Sequence, residues 1–494
     1  MAANRPDAFV HGATLPHIVS TSLMGAAGLM TLFAVDLADL YFLSLLGETA
    51  LAAAVGYAGT ILFFTTSICI GFAIAMTALV ARAVGANELN RAQRYVGHGG
   101  LLCVIMTTPI AALLWYYVPE LVSAVGATGR AHELAVIYLR VIIPAMPVLA
   151  LAMSAGGVLR ATGAAKLAMY STIAGGLANA ILDPIFIFTL EMGVAGAATA
   201  SVAARFVVLG VAAYGVIRTS QMLGRLRPGA MLRDAQRMLG TALPAIATNL
   251  ATPVSNLVVM RSLAVYGDEV IAGYAIIGRL TPVAFGIVFA LSGAIGPIVG
   301  QNFGAGKFGR VQRALLEAAA FATLVVVLTT LIMALLLPWI IQAFDASAGA
   351  ADLIQFFVYF VAVLFIFAGL QFISNAAFNN LGKPLWSTAT NWGRATLGTF
   401  PFVWLGGTIG GASGILLGHA LGGVLFGLAA FIVARRLVAQ MAEDASEPAS
   451  GPIWRRLFAT PLSPQSNIFG WIPAVTAQRF KRPNRHDEQP HERS

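Results

Sequence analysis

Three carboxylates sit inside long apolar runs of this chain: Asp36 and Asp39 in the first run, Asp183 in a later one. An ionisable side chain at membrane depth is costly, and where one persists it marks an ion pathway or relay by default. At about 1.5 Å of rise per residue, all three fall roughly 9 to 14 Å from the outer ends of their helices, so they share a depth. Asn179 lies four residues before Asp183 and therefore on the same helical face. Pro184 removes a backbone donor and frees a carbonyl nearby, which predicts a locally bent, polar helix. Two carboxyls brought together away from water cannot both ionise cheaply, because desolvation and repulsion each favour the neutral form of one. That chemistry suits a proton carrier, with Asp183 as the main carrying group. Asn179 and Ser201 add oxygens that suit sodium instead. A blander arrangement pairs the aspartates with Arg140 or Arg205.

Other chemistries find little support. The run GAGK (304–307) lacks the glycine and the Ser or Thr of a phosphate loop, since those positions hold Gln301 and Phe308. No ATPase subunit is expected, and an ion gradient remains as the energy source. The seven histidines are scattered, and the two cysteines, Cys69 and Cys103, lie in apolar runs, so neither a metal cluster nor a disulfide framework is expected. Without a nucleophile or metal constellation, the chain does not read as an enzyme, and no cofactor is implied.

The elements that must position these residues follow from composition. Of 494 residues, 58% are hydrophobic and 10% charged, and the mean hydropathy is +0.81; soluble proteins carry about 25% charged residues. A spanning helix needs about 20 apolar residues. Twelve candidate spans follow, at 15–45, 50–83, 95–118, 132–159, 167–190, 194–218, 239–266, 270–299, 314–340, 350–378, 384–406 and 411–436. The first reads as a permanent span, not a cleaved leader. Sixteen lysines and arginines, from Arg82 to Arg436, lie in or beside the loops after even-numbered spans, and one, Arg130, after an odd-numbered span. This asymmetry places both termini in the cytoplasm of a cell membrane. It also accounts for much of the net charge of +9, so nucleic acid is not an expected partner.

The chain repeats itself. Gly85, Ala86, Arg91, Gln93 and Arg94 recur as Gly304, Ala305, Arg310, Gln312 and Arg313, each 219 residues later, and Gly163 recurs as Gly382. Six spans per repeat is an even number, so both halves enter the membrane in the same direction, as in parallel-repeat transporters. The expected organisation is an amino-terminal lobe (1–218), a basic linker (219–238), a carboxy-terminal lobe (239–437) and a disordered or interfacial tail (438–494). Gly85 and Gly304 read as left-handed helix ends, and the arginines after them as headgroup contacts. The motif is thus expected to set topology, with a direct part in gating as the alternative.

Several stretches resemble the multidrug and toxic compound extrusion (MATE) family: DLYFLSLLGETALAA (39–53), the two Gly-Ala…Arg-x-x-Arg hinges, LRATG (159–163), NAILDPIFIF (179–188) and MGVAGAATAS (192–201). The resemblance covers roughly residues 15 to 437. It implies an all-α integral membrane protein, with twelve helices in two parallel six-helix lobes around a central cleft that opens alternately to each side. It further implies export of organic, often cationic and amphiphilic, compounds in exchange for protons or sodium, by a protein expected to be a monomer among membrane lipids. Asp39, Asn179 and Asp183 match the family's cation site. Ser201 stands where several members have threonine, Asp36 is an addition, and Met24 replaces a proline found in some members. By the repeat offsets, Val259, Gly398 and Phe402 occupy the equivalent places in the second lobe, which confines ion coupling to the first. Arg279 and Arg394 lie well inside second-lobe spans, either bonding backbone carbonyls or lining the cleft and disfavouring strongly cationic cargo. A flippase for a lipid-linked oligosaccharide is the alternative function, although the acidic first lobe and twelve spans argue against it. A membrane-embedded enzyme or scaffold is less well supported still.

Overall fold

A computed structural model describes residues 6–45 and 50–446. The loop residues Gly47 and Glu48 and the tail from 447 lie outside the described residues. One compact unit runs through Ala442, and the described residues of the second, 443–446, end the final helix. No strand occurs among the described residues. Span 1 is Thr14–Ser44, span 2 Ala50–Gly85 and span 3 Leu89–Tyr116; spans 4 to 6 are Gly129–Ala161, Ala165–Thr189 and Gly193–Thr219. Span 7 is Pro228–Tyr266, span 8 comprises Asp268–Ala284 and Gly286–Gly304, and spans 9 and 10 are Phe308–Ala343 and Ala348–Asn380.

The last apolar segment, Pro384–Ser446, has 63 residues. Straight, at about 1.5 Å per residue, it would be roughly three times as long as the hydrocarbon layer is thick. It doubles back at Gly410 and Gly411, whose backbone leaves helical geometry, with Gly411 at φ 59° and ψ −140°. Spans 11 (384–410) and 12 (411–446) thereby complete the twelve crossings. They touch backbone to backbone: a Cβ on Gly414 would lie 2.0 Å from the Gly406 oxygen, one on Gly418 2.1 Å from that of Phe402, and one on Gly422 1.6 Å from that of Gly398. Small residues every fourth position permit such close helix contact in membranes. Gly422→Ala should therefore lower the melting temperature in detergent, with a stability loss of about 1–3 kcal/mol. Gly423→Ala, with nothing within 4 Å, should be neutral; equal melting of the two variants would contradict this packing.

The repeat is visible in the packing. Span 1 lies on span 5 and span 7 on span 11, while span 2 lies on span 4 and span 8 on span 10. Between lobes, span 1 meets the second half of span 8, span 7 meets span 2, and spans 2 and 8 face each other. Each lobe also borrows a residue or two: Met238 and Ala242 of span 7 join the first lobe's core, and Phe9 and Ile18 join the second lobe's.

The repeated motif does more than set topology. The left-handed residues are Asn87 (φ 58°) and Gly306 (φ 69°), again 219 apart, and not Gly85 and Gly304, which stay in their helices. Gly85 and Gly304 instead permit the lobes to meet: a Cβ on Gly85 would lie 2.0 Å from the Gln301 oxygen, and one on Gly304 2.1 Å from the Arg82 oxygen. The local pattern of a glycine near a helix end is the same for a cap and for a close crossing, and only the partner backbone distinguishes them. The two lobes are thus sealed together on the face that carries the basic loops, hereafter the basic face.

Candidate functional site

Spans 1, 5 and 6 converge because glycines let them. Gly176 abuts Thr31 and Val35 of span 1, and Gly175 abuts Val208 and the Ala204 oxygen of span 6, with would-be Cβ distances down to 2.6 and 2.2 Å. One turn further along span 5 stands Asn179. Span 5 is α-helical to Pro184 and then widens into a π-helical turn, Ile185–Thr189. This is the irregularity expected from the proline, and π-turns recur at functional sites. Phe188 in that turn meets Phe42 of span 1 edge to face at 6.4 Å, fixing the two spans beside the acids.

Here three of the sequence-derived residues meet. The Asn179 Nδ2 donates to Asp39 Oδ1 and to Asp183 Oδ2, each at 2.8 Å. Asp39 and Asp183, 144 positions apart in sequence, are thus brought together around one amide nitrogen. Asn179 is 3% exposed and Asp183 fully buried, while Asp39 is half-buried. The Asp183 Oδ1 is buried with no partner, which is an open acceptor in a region where buried polar atoms are otherwise satisfied.

The other expected residues behave differently. Asp36 is exposed one turn before Asp39, outside the hydrogen-bonded group. Ser201 is half-buried on span 6 and lies beside Tyr138 of span 4, itself near Asp39 and Asp183. Tyr138 went unrecognised in the sequence because a lone tyrosine in an apolar span carries no pattern. The pairing of the acids with Arg140 or Arg205 does not occur. Arg140 is exposed and lies over the Trp115 ring at 5.7 Å, and Arg205 donates to the Ile142 carbonyl at 3.1 Å.

In the second lobe the polarity is reversed. Arg394 in span 11 and His419 in span 12 are half-buried and lie within electrostatic range of each other. The Arg394 Nε and the His419 Nδ1 are buried without partners, so Nε makes none of the carbonyl bonds that a structural role would require. By the repeat offset they stand in for Gly175 and Ala200, beside the places that Asn179 and Ser201 occupy in the first lobe. Arg279 is exposed on span 8. A buried amide cluster, unexpected from the sequence, lies nearby in the chain: Gln371 Nε2 donates to Asn375 Oδ1 (3.1 Å) and Thr390 Oγ1 (2.9 Å), and Asn391 Nδ2 to Asn375 Oδ1 (2.8 Å). The spacing 371, 375, 379 and 387, 391 was its available signal, since residues four apart share a helical face.

Comparison with known proteins identifies the family and the fold. The MatE family profile matches residues 26–185 and 244–405, one stretch in each repeat. A curated relative, the FAD transporter of Shewanella oneidensis, is 28% identical over 427 residues, covering 85% of this chain and 94% of its own. The multidrug export protein MepA of Staphylococcus aureus is 22% identical over 453 residues, covering 89% and 95%. Among solved structures, the outward-facing conformation of a multidrug resistance MATE family transporter superposes with a TM-score of 0.82 at 22% identity, covering 88% of this chain and 98% of that one. A Pyrococcus furiosus transporter, described as having a binding pocket of reverse polarity, superposes equally well at 0.82, with 21% identity and coverage of 88% and 98%.

Proposed function

Because the chain belongs to the multidrug and toxic compound extrusion (MatE) family of membrane transporters, we propose that it exports organic compounds by alternating access, driven by protons through Asp39, Asn179 and Asp183. The observation that carries this reading is the single amide bridging two carboxyls inside the first lobe. A proton shared by two carboxyls relieves their repulsion, and releasing it to the other side restores the charge. Asn179 turns N–H, not oxygen, towards both acids, which favours a proton over sodium, whose ligands are oxygens. Asp36, at the exposed edge, supplies a relay position, and Ser201 acts through Tyr138. The distribution of loop charge supports a cytoplasmic basic face, in a protein of the plasma or inner membrane.

A second reading concerns the cargo. Arg394 and His419, both with unpartnered buried nitrogens, suit a substrate bearing an anionic group, with Arg279 as a further candidate. The relative named as a FAD transporter makes a phosphate-bearing amphiphile the concrete case, whereas MepA stands for the multidrug case. Everted vesicles given either a cationic dye or flavin adenine dinucleotide, under a pH gradient or a sodium gradient, distinguish these. Uptake should follow the pH gradient, and uptake driven by sodium alone would remove the proton reading. Arg394→Gln should depress flavin dinucleotide uptake while sparing the dye; an equal loss of both, or of neither, would remove the anionic reading.

A further inference from the structure

We infer that residues 6–12, ahead of span 1, form a latch that holds the two lobes together on the basic face. The segment contains a single short helical turn, Ala8–Val10, and Phe9 and Val10 are 3% and 7% exposed. Its backbone is gripped by the second copy of the repeated motif. Gln301, fully buried, accepts from the Phe9 N–H at 3.1 Å and donates to the Pro6 carbonyl at 2.6 Å. Asn302 Nδ2 donates to the Phe9 carbonyl at 3.0 Å, and Lys307 Nζ to that of Val10 at 3.2 Å. Arg310 donates to the carbonyls of Gly12 (2.8 Å) and Phe9 (3.2 Å), and is itself held by Asn302 Oδ1 at 2.8 Å.

These partners all belong to the second lobe, yet the segment continues into span 1, whose Asp39 is tied into the first. The same Gln301 also donates to the carbonyl of Ala161 at the end of span 4, at 2.8 Å, and its backbone lies under Gly85. One buried amide therefore joins the segment, the first lobe and the second. Parting of the lobes on the basic face must break these bonds or strip the segment away.

The first copy of the motif has a matching arrangement. Gln93 Nε2 donates to the Gln221 carbonyl (2.8 Å), the Gly224 N–H donates to the Gln93 carbonyl (3.1 Å), and the Arg227 N–H donates to His98 Nε2 (2.9 Å). Each lobe thus holds the stretch that leads into the other. The two grips differ in chemistry. Just beyond the linker loop, the first turns of span 7 are fastened by the ion pair of Arg94 with the buried Asp234 at 2.7 Å, whereas residues 6–12 are held through their backbone groups. Hydrogen bonds from ions to neutral carbonyls are weaker than ion pairs of good geometry, so the 6–12 segment is the one that lets go.

Spin labels at Leu89 and Gly309, one on the basic face of each lobe, test this in the full-length protein. Arg310→Ala should shift the distance distribution to longer separations and quicken modification of a cysteine at Ala305 from the basic side. Arg313→Ala, an exposed arginine of the same motif, should change neither. An unshifted distribution in Arg310→Ala, or an equal shift in Arg313→Ala, would overturn the latch. Should Arg310→Ala fail to fold, Lys307→Gln, which removes the bond to Val10, reads the same shift at smaller amplitude. The readout is lobe separation and not transport, so its outcome is independent of the coupling ion and the cargo.

Discussion

Asp183→Asn should stop ion-driven export and leave the protein folded. The substitution keeps the size of the side chain, and its amide oxygen can still accept from Asn179, so the packing of spans 1, 5 and 6 survives. On the proposed coupling, what would be lost is the uptake and release of a proton at the most buried acid of the site. Uptake of substrate into everted vesicles should fall to the level of vesicles without the protein, while the melting temperature in detergent stays near that of the parent. Asp39→Asn should act in the same way, because the two carboxyls form one unit around Asn179. Arg279→Gln, in the other lobe, should at most change which substrates are carried. Full uptake by Asp183→Asn alongside silence of Arg279→Gln would place the coupling site in the wrong lobe.

Gly85→Ala should trap the transporter with its basic face unable to close. The added Cβ would lie 2.0 Å from the Gln301 oxygen, while ordinary contact begins at 3.4 Å, so the lobes must separate by about 1.4 Å (3.4 − 2.0) at that point. The obstacle is backbone on a buried helix, which no rotamer change can remove. Export should collapse, since alternating access requires each side to shut in turn, and cysteines on the basic face should become more reactive. Gly304→Ala should behave alike through the Arg82 oxygen. Gly309→Ala, which meets nothing within 4 Å, should transport normally. Normal export by Gly85→Ala would show that this contact is not part of the cycle.

Much of the architecture was legible in the chain. Hydropathy marks the crossings, and the offset of 219 residues marks the repeat. The i to i+4 relation places Asn179 and Asp183 on one face, and a shared depth brings Asp39 to them from another span. What was not legible depends on contacts between remote segments. Gly85 and Gly304 look like helix caps until the opposite lobe is present. Tyr138 is one aromatic residue among many until Ser201 and the acids surround it. Arg140 sits at a depth suited to neutralising the aspartates, but its direction, over Trp115, is set by the rotation of span 4. The amide cluster of Gln371, Asn375 and Asn391 carries no charge, so a reading led by ionisable groups passes over it although its spacing is regular.

The grip of Gln301 on Phe9 also bears on how the protein is made. The two residues are 292 positions apart. At the usual pace of synthesis, about 5–20 residues per second, the leading segment emerges some tens of seconds before the side chains that will hold it exist. During that interval Phe9 and Ile18 have no core to enter, because their neighbours Ile298, Val311 and Phe378 are still untranslated. The first half can insert its helices but cannot finish its own entrance. A gene split at the linker should therefore yield an active protein only when both halves are produced in the same cell.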